Sequence, residues 1–283
     1  MQSYECVSFP AEQGFIQIAR SACERLFVAA PFIGSYGIEM LLKHTSANQI
    51  MLLTNLDINS IVNSSLNIVA LLKLWDKFDI RLSSLGKLHA KVYIADDKVA
   101  MITSANLTYG GLKENYEYGI MLRDEEVVVA ILQDMSTYFS LGNIFGRETL
   151  ENIRIDVEEI QSLHLKLHKG IQTSRLQAAI SEKQNAIHEK MLLNRVKDRT
   201  INAIFAETIK YLLESRGPLS TQELHPLIQN IHPDICDDTI DRVINGQHFG
   251  KKWKHLVRNA QQFLKKKGAI YLQGGKWHIC SLM

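Results

Sequence analysis

The hydrophobic pattern changes character twice along the chain. Over the first 150 residues, short apolar runs alternate with helical ones. Residues 26–30 (LFVAA) stop at Pro31 and Gly34 and predict a buried strand. Residues 37–44 predict a helix and 50–54 a second strand. Residues 67–78 (NIVALLKLWDKF) carry apolar positions at helical spacing, and 79–83 predict a third strand. Residues 88–95 alternate as a fourth, Asp96-Asp97 make a turn, and 99–103 form a fifth. Residues 116–122 predict a sixth strand and 125–141 a helix. Strands alternating with helices predict an α/β sandwich around a mixed sheet.

Between 151 and 199 the pattern becomes helical and charged. Ile160, Leu163, Leu167 and Ile171, then Leu176, Ile180, Ile187 and Met191, recur at spacings of three, four and seven. Long amphipathic helices broken near Gly170 are expected, as a linker, a dimer-pairing segment, or both. A third pattern fills 200–283. A helix over 201–215 is closed by Arg216-Gly217-Pro218. Ser220 or Thr221 caps a second helix through 231, and Asp237 or Asp238 caps a third through 244. A basic helix over 251–267 ends at Gly268, and two short strands flank Gly274-Gly275, a hairpin signal. Together these predict a winged helix-turn-helix. The expected domains are therefore 1–150, 151–199 and 200–283.

Composition narrows the class. Apolar residues make up 46% of 283, enough for a real core, which excludes a wholly disordered chain and a coiled coil. The longest run without a charged side chain, 58–72, is too short and too rich in Asn and Ser to span a bilayer. The N-terminus lacks the basic and apolar regions of a secretion signal. Cys6, Cys23, Cys236 and Cys280 are scattered without a CxxC pair, which fits a reducing cytoplasm. The net charge of +2 hides an asymmetry: residues 1–150 carry 12 basic and 16 acidic side chains, and 151–283 carry 20 and 14. After Asp241 no acidic side chain follows, while nine basic ones do. Such a bias points to a polyanion.

The chemistry concentrates in HAKVYIADDKVAMITSANLTYGGLKENYEYGI, residues 89–120. His89 and Lys91 lie two apart, as do Ser104 and Asn106, so each pair faces one way along an extended segment. A hairpin turning at Asp96 brings the pairs together. Imidazole, ammonium, hydroxyl and amide then line one cleft, a set that suits a phosphate and a nucleophile for its phosphorus.

These residues resemble the HxKx4Dx6GSxN signature of the phospholipase D superfamily. His89, Lys91, Asp96, Ser104 and Asn106 fall at the signature's offsets, and Thr103 replaces its Gly. The segment SANLTYGGL and the strand ending at Ala30-Pro31-Phe32 resemble the nuclease-like branch, over roughly residues 15–140. The resemblance implies a phospholipase D-like α/β/α sandwich. It implies that His89 attacks phosphorus to form a covalent phosphohistidine while Lys91, Ser104 and Asn106 hold the oxygens. It also implies that Glu117 accepts a hydrogen bond from His89, that no metal or other cofactor is needed, and that Asp96 is structural. Members with two motifs supply a second imidazole internally. Another HxK, His164 and Lys166, lacks the downstream residues. A homodimer that completes the active site is therefore implied.

In the basic tail, Trp253, Leu256, Val257, Ala260, Phe263 and Leu264 form an apolar stripe. Lys252, Lys254, Arg258, Lys265 and Lys266 occupy other faces, and Lys276 lies beside the hairpin tip. These six are the candidate contacts to nucleic acid. Trp253, Val257, Arg258, Leu264, Gly268, Gly275 and Trp277 resemble the winged-helix domain of Mrr-type restriction endonucleases. The expectation is a cytoplasmic, metal-independent nuclease of restriction or phage defence. It would act on DNA, with RNA also open and room for a defence-system partner protein, and would not engage membranes. Two alternatives stay open, a phospholipase D-type phosphatidyl hydrolase or transferase and a non-catalytic DNA-binding regulator.

Overall fold

The computed structural model describes residues 4–56, 58, 67–168, 174–244 and 246–280. The chain divides into two units, Met1–Asn194 and Arg195–Met283. The strands of the first unit are β1 (Tyr4–Val7), β2 (Arg25–Ala29), β3 (Gln49–Thr54), β4 (Asp79–Ser84), β5 (Val92–Ala95), β6 (Val99–Thr103), β7 (Gly119–Leu122) and β8 (Asn143–Phe145). They form one eight-stranded mixed sheet in the order β1-β7-β6-β5-β2-β3-β4-β8. The neighbours β2, β3 and β4 run parallel, and the remaining pairings are antiparallel. Parallel strands need both faces covered, which is why β2 and β3 read as unbroken apolar runs.

The helices of this unit are α1 (Glu12–Ser21), α2 (Ser35–His44), α3 (Ile68–Leu72), α4 (Glu125–Leu141), α5 (Arg147–His168) and α6 (Ser174–Arg195). A 3-10 turn, Lys73–Asp76, extends α3. Alternation along β2 sends Leu26 and Val28 into one apolar cluster with Phe15 and Ile18 of α1 and Leu41 of α2. Phe27 points the other way, with Phe139 of α4 edge-on to it at 6.1 Å. The result is an α/β/α sandwich.

The helical segment expected between domains folds against the first unit. Leu150, Ile153, Val157 and Ile160 of α5, with Ile180 and Ile187 of α6, enter the same apolar cluster. Each buried Ile or Leu contributes about 1.5–3 kcal/mol, so a free helical arm would forfeit a large driving force. Asp156 on α5 is 6% exposed and takes Lys183 and Lys190 of α6, clamping the two helices together. The break expected near Gly170 lies outside the described residues.

The second unit contains α7 (Ile201–Arg216), α8 (Thr221–Ile231), α9 (Lys252–Lys266) and the strand pairs β9 (Asp241–Ile244) with β10 (Gln247–Lys251), and β11 (Ile270–Gln273) with β12 (Lys276–Ile279). Ser220 and Glu223 form a reciprocal capping box at the start of α8. Phe205, Ile209, Leu224, Ile228, Trp253, Val257 and Trp277 are buried. Trp277 also pairs backbone to backbone with Leu219 ahead of α8. One expectation is overturned. The third helix predicted through residue 244 is replaced by the β9–β10 hairpin. Asp237 does not cap a helix; its carboxylate closes a tight turn by accepting from the backbone N–H of Thr239 at 2.7 Å.

Candidate active site and nucleic-acid interface

The β5–β6 hairpin builds the candidate site at its open end. Residues 88–95 were expected to form one strand, but the ladder covers only Val92–Ala95. One further contact, from the Thr103 N–H to the Lys91 carbonyl at 3.1 Å, carries the pairing on. His89 and Lys91 thus lie just beyond the paired strand, where side chains are not committed to either face. Lys91 Nζ lies 3.3 Å from His89 Nδ1 and donates to the His89 carbonyl at 3.0 Å.

Ser104 follows β6 and meets the chain entering β7. Its N–H donates to the Tyr118 carbonyl at 3.0 Å, and its Oγ accepts the Tyr118 N–H at 3.1 Å. The hydroxyl then has one hydrogen to give, and it goes to Glu117 in a very short contact. The other Glu117 oxygen accepts from Asn115 Nδ2 at 3.1 Å. The contact expected between His89 and Glu117 is therefore not the one formed. Glu117 holds Ser104, and Lys91 faces His89.

Asn106 sits on a tight loop. Its Oδ1 is buried without a hydrogen-bond partner. A Cβ at Gly111 would lie 2.4 Å from the Asn106 carbonyl oxygen, so only glycine lets the following turn close on this loop. Tyr93, fully buried on β5, donates to the Ala105 carbonyl at 3.0 Å and pins the loop from below. Burial, and then the Glu117 carboxylate, push the Tyr93 phenol far up, so it stays a donor.

Asp96 does not approach this cleft. At the hairpin turn, with φ of 54°, its carboxylate accepts from the backbone N–H groups of Cys23, Glu24 and Arg25 at 3.1, 2.9 and 2.9 Å. Burial alone would raise its pKa; the three donors outweigh that and hold it below the usual carboxylate value. Asp96 therefore fixes the hairpin to the start of β2. His164 and His188, the histidines of the other HxK triplets, lie within α5 and α6 rather than at a strand end. Among the described residues, no three His, Cys, Asp or Glu side chains gather as a metal site would require. Nor is any described helix long and apolar enough to cross a membrane.

In the second unit, Lys252, Arg258, Lys265, Lys266 and Lys276 are exposed. Lys254 lies with its Nζ 5.4 Å from the centre of the Trp253 ring. Lys276 lies 3.8 Å from Glu223, which offsets part of its charge. Lys254, Arg258 and Lys265 share one face of α9, set apart from the buried Trp253, Val257 and Leu264. Sequence reasoning passed over His225 on α8, whose ring is edge-on to Trp253 at 5.4 Å. Burial, then Lys254 and Arg258, push its pKa down to about 4. It also missed that His255 accepts from Arg242 at 3.1 Å and contacts the Phe249 carbonyl at 2.6 Å, tying the β9–β10 hairpin to α9. Acid-free basic sequence was the visible signal; the hairpin that anchors it was not.

Residues 15–140 match the family model described as "Cardiolipin synthase, PLD-like domain". That segment, somewhat under half of the chain, is similar to a phospholipase D-like domain. Among solved structures, similarity is found to Nuc from Salmonella typhimurium, a phospholipase D family member, at 17% identity over 50% of this chain and 97% of that one, with a TM-score of 0.44. NucT from Helicobacter pylori is similar at 18% identity over 46% and 91%, with a TM-score of 0.36. The phosphatidylserine synthase of Haemophilus influenzae is similar at 11% identity over 66% and 43%, with a TM-score of 0.42. No curated protein matches the chain.

Proposed function

We propose that the phospholipase D-like domain is a metal-independent phosphodiesterase that cleaves nucleic acid, DNA foremost, through a phosphohistidine at His89. The observation that carries this reading is the pairing of His89 with Lys91, and of Ser104 with Glu117, which Asn115 holds in turn, at the open end of one hairpin, inside the segment that matches the PLD-like family. Lys91 supplies the positive charge a phosphate needs, Asn106 supplies amide donors, Ser104 turns its hydroxyl hydrogen from Glu117 to a phosphate oxygen when one binds, and the imidazole supplies the nucleophile. A phosphate that draws Lys91 to its oxygens leaves His89 Nδ1 free to donate, so that Nε2 carries the lone pair for attack. Phosphorus then gains the N–P bond and loses the leaving oxygen, which takes a proton from a second imidazole. Water, giving a proton back to that second imidazole, then attacks phosphorus, breaks the N–P bond and restores both histidines. The chain places one such imidazole at the site, so the second comes from His89 of another copy across a two-fold axis.

The winged-helix reading of the second unit is part of the same proposal. The first unit carries 18 basic and 22 acidic side chains, a net charge of −4, whereas the second carries 14 and 8, a net charge of +6. A catalytic unit of net negative charge meets a polyanion with help from a basic one. α9 presents Lys254, Arg258 and Lys265 for this, with the β11–β12 hairpin as the wing. We assign the chain to restriction or phage defence on the combination of the two units. The test is a side-by-side assay in EDTA of DNA cleavage and of phospholipid-vesicle hydrolysis. The proposal expects DNA to be cut and vesicles to remain intact. Lipid turnover would favour a phospholipase. Loss of both activities together with tight DNA binding would leave a regulator.

A further inference from the structure

The large exposed aromatic rings of the first unit are Tyr4, Phe9, Phe32, Tyr109, Tyr116 and Tyr118. Tyr109, Tyr116 and Tyr118 belong to the segment between Asn106 and β7, and Tyr4 and Phe9 belong to the chain along β1, the partner of β7. Five of the six lie on the chain segments that form and flank the candidate phosphate site. Tyr116 is the extreme case, 91% exposed. Its ring lies on that of Phe9, with centroids 4.9 Å apart and planes inclined by 30°. It stands between Asn115 and Glu117, the two residues that hold Ser104 through the carboxylate. A tilted pair with its outer ring in solvent is a surface to which another flat ring can be added.

We infer that the Tyr116–Phe9 pair is a stacking platform for an unpaired base beside the bound phosphodiester, so that the site accepts single-stranded or locally opened nucleic acid. The inference rests on the nuclease reading and deepens it. Two arguments select this occupant. In a duplex the faces of the bases are covered by their neighbours, so an outlying ring gains nothing from paired DNA; a single strand offers each face for about 1–3 kcal/mol. The unit also carries a net charge of −4, so phosphate attraction alone holds a strand poorly, whereas stacking is indifferent to charge.

The experiment compares fluorescent probes of equal length, the two single strands also of equal charge, on the full chain carrying His89→Ala, which keeps the strand uncut. The probes are a mixed-sequence single strand, a strand built of abasic sites, and a duplex. Phosphate contacts from the second unit act on both single strands alike, so they cancel in the comparison. The base-bearing strand should bind about tenfold more tightly than the abasic one. Adding Tyr116→Ala should abolish that difference, and Tyr116→Trp should retain it. Equal binding of the two single strands, or a difference that survives Tyr116→Ala, would overturn the inference while leaving the nuclease reading standing. Light scattering on the Tyr116→Ala chain covers the remaining alternative: a dimer that falls to monomer assigns the ring to the contact between copies and also overturns it. Failure of every probe to bind at any salt concentration removes the nucleic-acid reading, and the platform falls with it.

Discussion

Thr103 stands where the phospholipase D signature has glycine, and the structure shows where the space has gone. Across the ladder from it lies Gly119. A Cβ there would come 2.5 Å from the Ile102 carbonyl oxygen and 2.7 Å from Thr103 Cβ. The small residue needed for close strand approach has moved to the neighbouring strand. Thr103 uses the room to hydrogen-bond, donating to the Tyr118 carbonyl at 3.2 Å and accepting from the Ala105 N–H at 3.2 Å. Gly119→Ala should therefore destabilise the chain by about 2 kcal/mol or more, through forced strand separation. Urea denaturation checks this, and an unchanged midpoint would remove the compensation argument. Asp96 makes a second residue-scale case. Replacing it with Ala strips three backbone donors of a charged acceptor and should cost about 3 kcal/mol. Its carboxyl is held low in the fold, so this stabilisation is complete above the unfolded pKa near 4 and is lost as pH falls through the lower folded value. The gap between wild type and Asp96→Ala in urea melts should close on acidification.

At the scale of elements, α5 and α6 depend on an apolar stripe and one buried carboxylate. Asp156 is nearly covered, whereas Lys183 and Lys190 are each more than a third exposed. Removing the acid leaves two lysines that water can still solvate, so Asp156→Ala should cost only about 1–2 kcal/mol, less than a fully enclosed pair would. Thermal melts of the two chains measure it. Element legibility followed periodicity. The α4 boundaries and those of β6 were readable because a cap or turn flanks each apolar run, with Asp124 accepting from the Val127 N–H in the first case. The strand β1 was not readable: three of its four residues are exposed, so no alternation marks it. α1 is a ten-residue helix with no side-chain cap. The helix expected through residue 244 rested on Asp237-Asp238 as a cap, whereas the sequence Asn245-Gly246 just after it is a hairpin signal. Gly246, at φ of 79°, sits where a turn needs it. In the candidate site, the residue types and their spacing were visible in the sequence. The partner of Glu117 was not, because the return of residues 115–118 alongside Ser104 is a tertiary fact.

At the scale of the whole molecule, the division of charge matches the division of the chain at residue 194. If α9 carries the nucleic acid, replacing Lys254, Arg258 and Lys265 together should flatten the salt dependence of binding by about 2–3 in log–log slope, since each phosphate contact accounts for about 0.9. Filter binding over a salt series reads this directly, and an unchanged slope would move the contact elsewhere. The second unit also carries its own acid sensitivity. His232 is 1% exposed, with Arg195 at 2.9 Å from Nδ1 and Thr208 at 2.6 Å from Nε2. Burial, then Arg195 and Arg199, hold its pKa well below the ordinary value. The unfolded chain takes up a proton near pH 6.5 that the folded unit refuses. Stability from this group is therefore full above that pH and falls below it by up to about 1.4 kcal/mol per pH unit. Trp253 and Trp277 report this unit in urea melts between pH 7.5 and 5, and a flat profile would contradict the argument. The central claim remains the chemistry at His89. Its most direct test is the hydrolysis of a small activated phosphodiester, bis(p-nitrophenyl) phosphate, in excess EDTA by the wild-type chain and by His89→Ala. The account predicts steady turnover by the wild type and a loss of about a thousandfold or more in the variant. Turnover that requires added metal, or that survives in His89→Ala, would contradict it.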